Sequence, residues 1–148
     1  MHLTFYTDYA LRTLIYLALN DDRLSTVEEV AQAFKISRSH LTKVAPRLSE
    51  CGFIESVRGR AGGLRLAKAP SEIRVGDVVR ATEEDFKIVE CFSPDTNTCR
   101  IMGVCNLKGM LTEALAAWLE VLDKYTLADL LQQPQSLAKR LGLELESV

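Results

Sequence analysis

The stretch from Ser25 to Lys68 constrains the fold more tightly than any other part of the chain. Ser25 and Thr26, followed by Glu28 and Glu29, have the pattern of a helix N-cap with acids in the first turn, and Val30, Ala31 and Phe34 continue at helical spacing. Lys35, Ile36 and Ser37 leave room only for a tight connection. A second helix, Arg38 to Glu50, then opens on Ser37 as its cap and closes at Cys51 and Gly52. Pro46 inside it removes one backbone hydrogen bond and predicts a kink or an irregular turn. Phe53 to Val57 and Gly63 to Ala67 alternate as strands around Arg58-Gly59-Arg60-Ala61-Gly62, a basic, glycine-rich hairpin tip. Two short helices, a three-residue connection and a β-hairpin predict a winged helix-turn-helix.

Charge agrees with that geometry once it is divided along the chain. Residues 1–80 carry 12 Lys and Arg against 9 Asp and Glu, whereas residues 81–148 carry 6 against 11. Between Lys35 and Lys68 eight cations face only Glu50 and Glu55, a field suited to a phosphate backbone. Arg38, Ser39, His40 and Lys43 on the first turns of the second helix supply donors for base edges and phosphates in a major groove. Ser37 sits where backbone N–H groups of a helix start meet a phosphate. Arg58 and Arg60 fit a wing tip along the minor groove, with Gly62 and Gly63 permitting close backbone approach. The bland alternative for each of these residues is a solvated polar face.

The flanking segments complete a mainly α fold with a small β wing. Helical periodicity runs from Thr7 to Asn20, with Thr7 or Asp8 available as N-cap, and a short helix is expected within Arg74 to Thr82. Residues 92–103 have loop composition and no periodicity. Leu107, Met110, Leu111, Leu115, Trp118, Leu119 and Leu122 mark a long amphipathic helix, and a weaker one is expected from Thr126 to Leu131. Pro134 begins a tail with no assigned structure. The expected organisation is a winged helix-turn-helix over residues 1–82, a cysteine loop over 83–106, a dimerisation helix with a short following helix over 107–131, and a tail over 132–148. No run approaches the roughly 18 apolar residues of a membrane span, and the N-terminus lacks a signal-peptide core. These features place the chain in the cytoplasm, away from membranes.

Four cysteines are too few to staple a fold of 148 residues by disulfides. Cys51, at the end of the recognition helix, reads as a small buried hydrophobe. Cys91, Cys99 and Cys105 are different, because they are spread over a polar loop with seven and then five intervening residues. That spacing lets three thiolates converge. It lacks the paired spacing and the histidine expected of structural zinc, and favours an iron-sulfur centre with one coordination position left for another ligand. Without a C-x-x-C pair or an identifiable general base, a thiol enzyme is not expected. A cofactor-free binding module is the remaining alternative.

With these residues in view, the chain resembles the iron-sulfur winged-helix transcriptional regulators, the family that includes IscR, RirA and the nitric-oxide-sensing NsrR. The resemblance covers nearly the whole sequence. It is carried by LTFYTDYALRTLIYLA, ISRSHLTKVAPRLSECGFIESVRGRAGGLRLAK, IRVGDVVRATE, the three-cysteine loop and YTLADL. It implies a homodimer joined through the long helix, with each cysteine loop near the partner's first helix. In NsrR-like members an aspartate of that helix completes a 4Fe-4S cluster, and Asp8 holds the matching place beside Cys91, Cys99 and Cys105; a 2Fe-2S cluster is the alternative. IscR-like members use a histidine three residues after the last cysteine, where this chain has Lys108. The function so implied is repression at promoter DNA, relieved by nitric oxide acting on the cluster. The wide Cys91–Cys99 spacing approaches the RirA type and keeps iron or oxidative-stress sensing as the second expectation.

Overall fold

The structure, a computed structural model, describes residues 2–144. Its first helix, α1, spans Phe5–Leu19 and starts two residues before the expected Thr7. Thr4 is the cap, its Oγ1 accepting the Thr7 N–H at 3.3 Å, so Asp8 lies in the first turn rather than at the cap. Thr7 is buried and its hydroxyl meets that of Thr82 at 2.9 Å. Helix α2, Val27–Phe34, begins with a capping box in which Thr26 Oγ1 accepts the Glu29 N–H and Glu29 Oε2 accepts the Thr26 N–H at 2.6 Å. Lys35 ends it in the left-handed region at φ 54°, turning the chain directly into α3, Arg38–Glu50.

Helix α3 runs unbroken through Pro46. Ser37 holds its cap position without a side-chain cap bond; its hydroxyl pairs with that of Ser39 at 2.7 Å instead. Strands β1, Ile54–Val57, and β2, Gly63–Leu66, form the antiparallel wing with Ile54 opposite Leu66 and Val57 opposite Gly63. Ser25 adds a third rung, exchanging both backbone hydrogen bonds with Leu64 at 3.0 and 2.7 Å. The wing is thereby moored to the entrance of α2. Gly63 serves that mooring, since a Cβ there would lie 2.9 Å from the Ser25 carbonyl oxygen, while Gly62 serves the hairpin, where a Cβ would overlap the carbonyl oxygen of Val57.

After the wing come α4, Val75–Thr82, the loop over residues 83–106, and α5, Leu107–Asp123. Arg80 clamps α4 to α5 through two hydrogen bonds to Asp123, at 2.6 and 2.7 Å. The chain leaves and rejoins the body at one place, where Val75 N–H donates to Tyr125 O at 2.9 Å and Leu127 N–H to Ile73 O at 2.8 Å. A single 3-10 turn, Ala128–Leu131, stands where the weak helix was expected. Within the C-terminal stretch to which no structure was assigned, Pro134–Leu141 forms α6, with Pro134 at its start, Ala138 buried and Gly142 closing it in the left-handed region. Residues 145–148 lie outside the described residues. The core gathers Leu14 and Leu17 of α1, Val30 of α2, Leu41, Val44 and Leu48 of α3, Ile54, Ile73, Val78 and Leu127. No described helix is long and apolar enough to cross a membrane.

Candidate DNA-reading surface and cysteine centre

The burial pattern of α3 separates its two faces. Leu41, Val44, Ala45 and Leu48 go into the core, which leaves Ser37, Arg38, Ser39, His40 and Lys43 exposed on one side. Thr42 returns its hydroxyl to the Arg38 carbonyl at 2.8 Å, so that hydroxyl is occupied within the helix. Two neighbours with no signal in the sequence steady these exposed residues. Glu28 of α2 lies 3.7 Å from Arg38 Nε, and the Tyr9 ring of α1 stacks on the His40 imidazole with centroids 5.8 Å apart. Phe5 extends the stack from the other side of Tyr9 at 6.0 Å. The Tyr6 hydroxyl donates to the Lys43 carbonyl at 2.9 Å, and burial pushes its ionisation above the ordinary tyrosine value. At the wing tip, Arg58 and Arg60 are exposed and, among the described residues, in no ion pair, so both guanidinium groups are available to phosphate.

The second feature is a cavity of about 700 Å³ beside the start of α5. Cys91, Cys99 and Cys105 all line it, with Val89, Ile101 and Met102 among its apolar walls. All three thiols are free and half-buried. They surround the space without closing on it: among the described residues no three His, Cys, Asp or Glu side chains stand close enough to grip one ion. The backbone between them is fastened by side chains. Glu90 accepts the Thr98 hydroxyl at 2.7 Å and the Thr98 N–H at 2.6 Å, which together hold its carboxyl below the usual glutamate range. Cys105 Sγ accepts the Leu107 N–H at 3.4 Å, at the first turn of α5.

Asp8 stands apart from this cavity. Its carboxylate is held by Arg12, one turn on, through Nε at 3.1 Å and Nη2 at 2.7 Å. The Arg12 guanidinium lies 5.8 Å from the Phe34 ring of α2. One copy of the chain therefore assembles the three thiols around one space and leaves Asp8 on another surface. Cys51, by contrast, packs against the core as a small apolar side chain. The donor set nevertheless suits an iron-sulfur cluster: three thiols of one loop face an open space with apolar walls, and no histidine shares it.

A profile of the Rrf2 family, described as iron-dependent transcriptional regulators, matches residues 3–133. The chain belongs to the Rrf2 family. It is 54% identical to the HTH-type transcriptional regulator NsrR of Halalkalibacterium halodurans over 97% of this chain and 99% of that protein. NsrR of Bacillus subtilis is 50% identical over the same shares. Among solved structures, the global cysteine regulator CymR of B. subtilis superposes with a TM-score of 0.71 at 27% identity, covering 88% of this chain and 95% of that one. IscR of T. potens gives 0.71 at 26% identity, over 89% and 87%. As in its Rrf2 relatives, the winged helix-turn-helix of this transcriptional regulator is a DNA-binding element. The family match ends at residue 133, just before α6.

Proposed function

We propose that the chain acts as a homodimeric repressor whose hold on promoter DNA is set by an iron-sulfur cluster, with nitric oxide as the signal. The observation that carries this reading is the pairing, in a chain so similar to NsrR regulators, of an exposed basic recognition helix with three free thiols around one cavity. Cys91, Cys99 and Cys105 would hold the cluster, and Asp8 from the partner's α1 would complete it as a 4Fe-4S centre. When bound, the cluster supplies iron that nitric oxide can attack, together with a carboxylate bond weaker than its thiolate bonds.

The chain's own residues relate that bond to DNA. Asp8 has a second partner in Arg12, and Arg12 rests on Phe34 of the helix before the recognition helix. Tyr9, next in sequence to Asp8, stacks on His40 of the recognition helix itself. A change in what Asp8 grips therefore reaches both helices of the reading motif through one or two contacts. Two copies of α3 must meet half-sites about one helical turn, roughly 34 Å, apart, so a shift of a few ångströms between them costs affinity. Residues 1–82 read DNA in this scheme, 83–106 hold the cluster, and 107–131 join the two copies.

A second reading, release on iron shortage, draws support from the family's description as iron-dependent and from the seven residues between Cys91 and Cys99. Operator affinity of the anaerobic, cluster-loaded protein, measured before and after stoichiometric nitric oxide and again after an iron chelator, separates the two. Loss of affinity with nitric oxide is the expected result. Release by the chelator alone would replace nitric oxide with iron as the signal, and indifference to both would reduce the cluster to a structural staple.

A further inference from the structure

A flexible chain spanning the eight steps from Cys91 to Cys99 would leave its ends on the order of 15 Å apart on average. In this loop the freedom is removed one residue before each thiol. Glu90 precedes Cys91 and Thr98 precedes Cys99, and a single oxygen, Glu90 Oε1, accepts both the Thr98 N–H at 2.6 Å and the Thr98 hydroxyl at 2.7 Å. The fastening continues toward the third thiol. Asn97 Oδ1 accepts the Cys99 N–H at 3.1 Å, while Asn97 Nδ2 donates to Met102 Sδ. Met102 N–H returns to the Cys99 carbonyl at 3.3 Å, and Cys105 N–H donates to Ile101 O at 3.0 Å. Among the described residues Glu90 enters no ion pair, so its hydrogen bonds to Thr98 account for its role in the loop.

We propose that Glu90 is a positioning residue for the cysteine centre: by clasping Thr98 it fixes Cys91 and Cys99 at the rim of one cavity before any cluster is present. The proposal rests on the cluster reading given above for its purpose, but its geometry belongs to the protein alone. Closing the loop in advance lowers the conformational cost of gathering two ligands, as outer-shell partners do at metal sites generally. The acceptor matters rather than the charge, because one oxygen receives both donors. Glutamine keeps such an oxygen, and alanine does not.

The test uses the full-length protein in two states. In the cluster-free state diamide takes two electrons and two protons from a pair of thiols and leaves a disulfide, and the rate of Cys91–Cys99 pairing is followed by peptide mass spectrometry. Glu90→Ala should slow pairing about tenfold and Glu90→Gln should stay within about threefold of wild type, magnitudes at the low end of outer-shell effects. Alkylation of Cys51 and the thermal midpoint serve as controls and should be unchanged. In the anaerobically reconstituted state the same order should appear in chelator-driven loss of visible absorbance, Ala losing cluster about tenfold faster. Equal pairing rates in Ala and wild type, or a Gln variant as slow as Ala, would overturn the clasp. If wild type takes up no cluster at all, the cluster reading falls, and the pairing rate alone decides for or against the clasp.

Discussion

If the basic surface binds DNA and the cysteine loop holds a cluster, single substitutions should separate the two tasks in solution. Arg58→Ala and Arg60→Ala remove cations without touching the core, so each should weaken operator binding and lower the slope of log affinity against log salt by about one. A salt series on each variant measures this, with circular dichroism unchanged. Gly62→Ala should weaken binding by another route, since its Cβ would overlap the Val57 carbonyl oxygen and deform the hairpin. A cost of about 1–3 kcal/mol in thermal or denaturant unfolding is expected, with affinity falling at every salt concentration. At the other surface, changing Cys91, Cys99 or Cys105 to serine should give cluster-poor protein on anaerobic reconstitution, judged by iron content and absorbance. Asp8→Ala should still assemble a cluster, with a changed spectrum and a changed response to nitric oxide, because a carboxylate is a harder and weaker partner for cluster iron than a thiolate. An Asp8→Ala protein that cannot assemble a cluster would make that carboxylate an essential ligand.

At the scale of elements, α2 is the piece whose stability depends most plainly on its ends. Its eight residues are too few to persist without packing and caps, so Thr26→Ala should cost about 1 kcal/mol, lowering the midpoint by about 3 °C for a chain of this size. Partial burial pushes the Glu29 carboxyl upward, but hydrogen bonds from Thr26 and the Arg23 guanidinium outweigh it and leave the carboxyl below the ordinary glutamate range. A depressed native value means that Glu29 stabilises the fold above that range and loses its contribution as pH falls through it. The difference in midpoint between wild type and Glu29→Gln should therefore shrink on acidification below about pH 4.5. Elements with strong local punctuation were legible from the sequence: the Thr26 box, the Gly52 stop and the glycine-rich tip fix α2, α3 and the wing. Elements fixed by distant partners were not. Thr4 extends α1 because Glu83, 79 residues on, accepts its N–H and hydroxyl, and α6 exists because Ala138 finds the core. Sequence spacing singled out the three cysteines that line one cavity, but not Glu90, Tyr9 or Glu28, whose contacts depend on partners brought close only by the fold.

For the whole molecule, α5 poses the main question, since none of its 17 residues is buried within one copy. Of the residues picked out by periodicity, Leu111, Leu115, Trp118 and Leu122 are half-buried, whereas Met110 at 66% exposure faces outward together with Val121 at 47%. An apolar helix left so open argues for a second copy. Sedimentation should find a dimer at micromolar concentration, and Met110→Glu with Val121→Glu should give monomers that bind the operator much more weakly because paired half-sites are no longer engaged together. A monomeric wild type would contradict this. Leu127, 1% exposed, belongs to the same core as Leu41, Val44 and Leu48 of α3, yet it is made only after the cysteine loop and α5. A nascent chain that has passed the wing but not residue 127 lacks that side chain, an omission comparable to a large-to-small core substitution costing about 2–5 kcal/mol. The winged helix-turn-helix should therefore become stable only once residue 127 has been made, and a chain truncated before it should bind operators more weakly than the full chain.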